Sequence, residues 1–186
     1  MQNLIILLIC FLFSVSNAAQ DNINPPSKLL KRHINKVYNS QSYSLAEIEN
    51  ISSSNKDTSL GKYYTITDKH IIGYLFIGRV MTCRAGVCMP SVENENLFEF
   101  FDYFILYDKD GKVLFVKVYN YEATHGQEIT SDAWLRQFKG YDGSQLLKPG
   151  VNIDAITGAT ISVSAITENV IEVTRNLRNY IEIHSR

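Results

Sequence analysis

Cysteine, proline and tryptophan are scarce in this chain: three, four and one among 186 residues. So few cysteines exclude a small fold held by a disulfide lattice, and the core must come from burial of apolar side chains. With 45% hydrophobic residues, the length suffices for one compact domain with a sizeable core. Charge of either sign is not in excess. Lys and Arg number 18 against 19 Asp and Glu, a formal net charge of −1, and no basic patch stands out along the sequence. That balance argues against nucleic acid as a partner, because phosphate backbones are met by clustered cations. There is no Ser-His-Asp or Cys-His arrangement for nucleophilic catalysis, no carboxylate pair at a useful spacing and no glycine-rich dinucleotide loop. Internal repeats and low-complexity tracts are also absent.

The first residues read as an address. Residues 4–13 form an apolar run too short to span a bilayer, and Ser16-Asn17-Ala18 supplies the small side chains a signal peptidase reads. Cleavage near Ala18 makes residues 1–18 a signal peptide and the mature chain exported, periplasmic or otherwise extracytoplasmic. Cys10 is not a lipidation site on this reading, because bulky Ile9 precedes it. Its removal leaves Cys83 and Cys88, and an even pair in an exported chain most simply closes a disulfide. A redox-active pair and metal ligation are the alternatives. Two thiols without clustered His or carboxylates make a poor zinc site, so no metal is expected. Met89 and Pro90 after Cys88 exclude covalent haem attachment of the usual kind.

Residues 19–60 read as an N-terminal helical segment and loop, and 61–186 as the main domain. Ser27 is expected to cap a helix carrying Leu30, Ile34 and Val37 on one face, and residues 45–51 to form a short helical piece. Residues 62–79 read as two strands. Residues 98–107 and 112–121 form the clearest hairpin, turned at Asp108-Lys109-Asp110-Gly111. Both of these strands are apolar on both faces, so the sheet needs cover on both sides. Ser131 opens a short helix stopped by Gly140, with Trp134 and Phe138 one turn apart as core residues. The class is therefore α+β, an antiparallel twisted sheet flanked by helices.

The strongest local pattern is Asp154-Ala155-Ile156-Thr157-Gly158-Ala159-Thr160. Behind it, Ile166, Val170, Val173, Leu177 and Ile181 recur three or four apart from Val163 onward, which marks one face of a long C-terminal helix. The pattern sets a hydroxyl, Thr160, on a small-residue turn where a helix begins. Unpaired N–H groups and the positive end of the helix dipole gather there and stabilise a phosphate without Lys or Arg. Ordinary capping chemistry explains the same residues without a ligand.

This stretch, with Ile161-Ser162 behind it, resembles the flavinylation motif of the FMN-binding domain family, known from subunits of sodium-translocating NADH:quinone oxidoreductase and Rnf-type electron-transfer complexes. Further similarity lies in Gly73-Tyr74-Leu75-Phe76, in Asp110-Gly111-Lys112 with the strand after it, and in Trp134-Leu135-Arg136-Gln137-Phe138-Lys139-Gly140. Together these span residues 61–183. The resemblance implies FMN joined by a phosphoester to Thr160, installed by a flavin transferase that uses FAD. It also implies cofactor contacts from Gly158, Ala159, Thr157, Asp154 and Ser162, with Thr124 and His125 lying near the flavin. The chain departs from the family in three places. Thr157 stands where many members have Ser, Val163 replaces a hydroxyl residue, and Ala123-Thr124-His125-Gly126 replaces a Glu-Thr-Pro-Gly loop.

The resemblance implies an electron carrier with no catalytic residues of its own, working between redox partner proteins that include a membrane electron-transfer complex. Two other readings stay open on the sequence: a flavin-dependent oxidoreductase acting on a small substrate, and a non-redox binding module that has lost its flavin.

Overall fold

The computed structural model describes residues 23–49, 51, 59–83 and 98–184. The expected signal peptide lies outside the described residues. So does Cys88, which takes the expected Cys83–Cys88 pair out of the structural account.

The element order is helix α1 (Ser27–Tyr38), strands β1 (Ser44–Ile48), β2 (Ser59–Asp68), β3 (His70–Cys83), β4 (Phe98–Tyr107) and β5 (Val113–Glu122), then helices α2 (Asp132–Leu135) and α3 (Thr160–His184). Single turns of 3-10 helix precede and follow α2 at Gln127–Thr130 and Arg136–Phe138. The strands form one antiparallel meander in the order β1-β2-β3-β4-β5. The α+β class, the antiparallel sheet and the long C-terminal helix are as the sequence predicts.

Two local expectations are corrected. Residues 44–48 are a strand paired to β2, not a helical piece, because Ser44 to Ile48 find partners from Thr67 to Tyr63 and the ladder outweighs local helix propensity. Ser27 is the first residue of α1 and not its cap. The Pro26 carbonyl accepts from Leu29 N (2.9 Å) and Leu30 N (3.1 Å), and no side chain caps the helix.

Period-2 alternation splits the strand residues between two cores. One face carries Tyr63, Phe76, Tyr103, Ile105, Tyr107 and Val116 beneath α2 and α3. The other carries Ile66, Leu75, Ile77, Phe104 and Leu106 beneath Leu30, Ile34 and Val37 of α1. The sheet is thus covered on both sides, as the two-faced apolar strands require. Gly73 lets α1 dock: a Cβ there would stand 2.3 Å from the Tyr107 carbonyl oxygen and 2.5 Å from the Tyr38 ring. In that space Tyr38 donates to Tyr107 O at 2.5 Å.

The β4–β5 turn is held by Asp108, whose Oδ1 accepts from the N–H groups of Asp110 (2.9 Å) and Lys112 (2.8 Å), with Gly111 left-handed at φ 77°. Arg178 of α3 donates to Asp110 O at 2.9 Å and ties the far end of the long helix to this turn.

Arg79 and Asp102 form a buried ion pair on neighbouring strands, with Nε–Oδ1 at 2.6 Å and Nη2–Oδ2 at 3.0 Å. Asn120 adds a bond to Oδ2 at 2.9 Å, and the guanidinium lies 3.7 Å from the Phe100 ring centroid. Removing one partner strands the other charge. Asp102→Leu is expected to lower stability by about 3–5 kcal/mol, and Arg79→Met/Asp102→Leu to recover most of that, as read by urea unfolding.

His33 is buried on α1, stacked on Phe115 at 4.5 Å between ring centroids. Burial foremost, and then the Arg32 charge, hold its pKa below the usual 6.5. The unfolded chain therefore binds this proton first. Stability is expected to fall as pH drops below about 6.5, until the folded-state pKa is also passed. His33→Phe should flatten that dependence in urea midpoints compared across the same pH range.

Candidate functional site

The helix α3 is seated on the sheet by three buried tyrosines. Tyr63 donates to Val173 O at 3.0 Å, Tyr103 to Asn169 Oδ1, and Tyr107 meets Thr174 Oγ1 at 3.2 Å. Burial raises the pKa of each phenol, so all three remain protonated. Apolar cover comes from Val163, Ile166, Val170, Val173 and Leu177, all buried, with Ile181 half-buried. The helix begins earlier than the apolar repeat indicates, at Thr160. The Ala159 carbonyl accepts from Val163 N at 2.9 Å, so Thr160, Ile161 and Ser162 carry the first-turn N–H groups that have no helical partner.

The approach to that turn is fixed from α2. Trp134 Nε1 donates to Asp154 O at 2.9 Å, and Asp154 N donates to Gln137 Oε1 at 2.7 Å. Trp134 is otherwise a core residue, edge-on to Phe138 at 5.5 Å, as its spacing predicts. Gly158, with φ 84°, turns the chain into the helix, and nothing lies within 4 Å of where its Cβ would be. The space over the turn is open.

The loop after β5 closes in from the other side. Gly126 has φ 88°, and a Cβ on it would stand 2.5 Å from Ser162 Oγ. Tyr121 Oη lies 2.6 Å from His125 O and 2.9 Å from Ser162 Oγ. A carbonyl only accepts, so the single phenolic proton goes to His125 O and the Ser162 hydroxyl donates to Tyr121. The same reasoning sets the histidine. Thr124 Oγ1 donates to Glu99 Oε1 at 2.6 Å, which leaves it to accept from His125 Nδ1 at 3.0 Å. By its partners His125 is thus the Nδ1–H tautomer, with Nε2 left for a ligand.

Between these elements lies a cavity of about 260 Å³ lined by Thr82, Glu99, His125, Gly158, Ala159, Thr160, Ile161 and Ser162. Of the residues expected at the site, it gathers Gly158, Ala159, Thr160, Ser162 and His125. Thr124 stands just behind, holding His125 and Glu99. Asp154 and Thr157 are exposed and do not line the cavity. The sequence reading missed Thr82, Glu99 and Tyr121. Only strand alternation from Val80 could have turned Thr82 inward, and nothing local singles out Glu99 or Tyr121 among the strand residues.

The residues fit a phosphate ester. Among the described residues no Lys or Arg lines the cavity, but the first turn of α3 does, and Thr160 is exposed there. On the opposite wall Thr82 is buried with a hydroxyl that has no hydrogen-bond partner. Somewhat below the usual range for small-molecule sites, about 300–1,000 Å³, the cavity suits one end of a larger ligand.

The model of the FMN-binding domain family matches residues 101–174. The chain carries an FMN-binding domain. No curated protein and no solved structure matches the chain. The matched residues run from β4 into α3, and include the 123–126 loop and the turn at Thr160. Thr82 lies outside them, so the FMN-binding domain draws on a strand beyond the matched residues for one wall of its cavity.

Gly158, which lines the cavity, and Gly126, just behind it, make a testable contrast. Gly158→Ala meets only the left-handed backbone and is expected to cost about 1–2 kcal/mol. Gly126→Ala adds the collision with Ser162 and is expected to cost about 1–3 kcal/mol more. Thermal or urea unfolding of the two variants side by side measures the difference.

Proposed function

We propose that this protein is an exported electron-transfer flavoprotein carrying FMN covalently on Thr160. The observation that carries the reading is an exposed hydroxyl at the first position of a 25-residue helix, facing a cavity, within an FMN-binding domain. Attachment forms the bond from Thr160 Oγ to the FMN-side phosphorus of FAD and breaks the pyrophosphate link. AMP leaves, and the hydroxyl proton passes to solvent or to a base on the transferase. The first-turn N–H groups of Thr160, Ile161 and Ser162 stabilise the phosphodiester charge. Thr82 supplies a further hydroxyl from the facing strand. Bound FMN exchanges one or two electrons, so the domain relays between partners of either kind while the protein sets the orientation and exposure of the ring. Tethering keeps the cofactor in an exported compartment, where a dissociated flavin would be lost. The partners are redox proteins, including a membrane electron-transfer complex.

The reading is tested by intact mass of the denatured protein, made with a flavin transferase and followed by peptide mapping. The expected result is an increment of FMN minus water on the peptide holding Thr160, absent from Thr160→Ala. An unmodified chain, or flavin retained covalently by Thr160→Ala, would overturn it. In the Thr160→Ala background, reversible FMN binding followed by flavin fluorescence should weaken about tenfold on adding Thr82→Val, the equivalent of about 1.4 kcal/mol for one hydrogen bond to a charged group.

A further inference from the structure

A second cavity, of about 410 Å³, lies against β5 between α1 and α2, and nothing in the flavin reading uses it. Its inner wall is apolar, with Phe115 and Leu135 among the side chains. Its polar lining is mostly cationic. Lys36 comes from α1, while Arg136 and Lys139 come from the turn after α2. These three are exposed at the rim, and none forms an ion pair with a described residue. The one acid among the described lining residues, Asp132, is held by Lys117 at 2.5 Å and so does not neutralise them. The fifth polar member is His33, nine-tenths buried, whose Nε2 has no hydrogen-bond partner among the described residues.

We propose that this cavity binds a small amphipathic anion, with a carboxylate or phosphate group between Lys36, Arg136 and Lys139 and an aromatic or aliphatic body against Phe115 and Leu135. Three like charges around one concavity repel each other until an anion enters, and low-dielectric walls strengthen their pull on it. Arg136 offers a planar fork to the two oxygens of such a group. The volume falls within the range of small-molecule sites, about 300–1,000 Å³. The apolar wall favours a ligand with a body over a bare inorganic anion. His33 supplies a polar atom that the fold leaves unsatisfied. The sequence hides this basic cluster because its cations come from residues 36, 136 and 139, on two elements about a hundred residues apart.

The test is a titration of the full-length mature protein with phenyl phosphate, inorganic phosphate and phenol, followed residue by residue in amide NMR spectra. Phenyl phosphate is expected to shift His33, Lys36, Leu135 and Arg136 saturably. Inorganic phosphate and phenol should each bind at least about tenfold more weakly, and Arg136→Gln/Lys139→Gln should weaken phenyl phosphate at least about tenfold while the amide spectrum stays folded. Shifts confined to Thr160, Ile161 and Ser162 would overturn the proposal by assigning the anion to the flavin turn. Equal affinity for phenyl phosphate and inorganic phosphate, equal affinity in the double variant, or no saturable shift would overturn it as well.

Discussion

The structure depends on how α3 is seated. A long helix over a sheet can slide or rotate at small cost if the contact is only apolar, because one methyl-lined groove is much like the next. Here Tyr63, Tyr103 and Tyr107 place three protonated hydroxyls at fixed points, against Val173, Asn169 and Thr174. Moving the helix by one residue would strand these buried polar groups, each at about 1–3 kcal/mol. The tyrosines stand on β2 and β4 and so transmit the register of the sheet to the helix. At about 1.5 Å per residue, Thr160 begins roughly 14 Å from Asn169 along the helix axis, and the seating therefore fixes where the Thr160 hydroxyl stands.

The same constraint explains a blurred sequence signal. Buried positions on α3 include Ser162, Thr167, Asn169 and Thr174 as well as the apolar residues. Thr167 satisfies its hydroxyl on Val163 O at 2.6 Å, Asn169 and Thr174 meet tyrosines of the sheet, and Ser162 meets Tyr121 of β5. The apolar repeat read from Val163 onward was thus a true but incomplete account of the buried face. It missed the first turn because Thr160 is exposed and Ser162 is polar.

Much of the fold was legible because local and tertiary forces agree. The 98–107 and 112–121 segments pair as a hairpin since Asp108 and Gly111 supply the turn and both faces are apolar. Residues 45–51 were misread because their state is decided by β2, which offers a free edge to pair with, and not by their own propensity. At the site, the Gly158-Ala159-Thr160 turn was legible as chemistry packed into consecutive residues. Thr82 and Glu99 were not, because they reach the cavity from strands whose sequence distance from Thr160 carries no local mark. Asp154 was read as a cofactor contact, and in the structure its backbone is what Trp134 and Gln137 hold.

Hydrogen-bond direction then separates the groups around the cavity by what they have left to give. Tyr121 and Thr124 spend their protons on a carbonyl and a carboxylate, and Ser162 spends its own on Tyr121. His125 keeps Nδ1–H on Thr124. These residues form a rigid acceptor-facing wall whose role is positional. What remains uncommitted among the described residues is the first-turn N–H groups, the Thr160 hydroxyl, the Thr82 hydroxyl and His125 Nε2. Among the described residues, an anion entering this cavity is therefore met by backbone dipoles and hydroxyls, beside the carboxylate of Glu99. Such donors act at contact distance and lose strength within about a turn of the helix, so they favour a phosphate fixed in place over one held at a distance by attraction. The covalent attachment proposed for Thr160 would hold a phosphate at that contact distance.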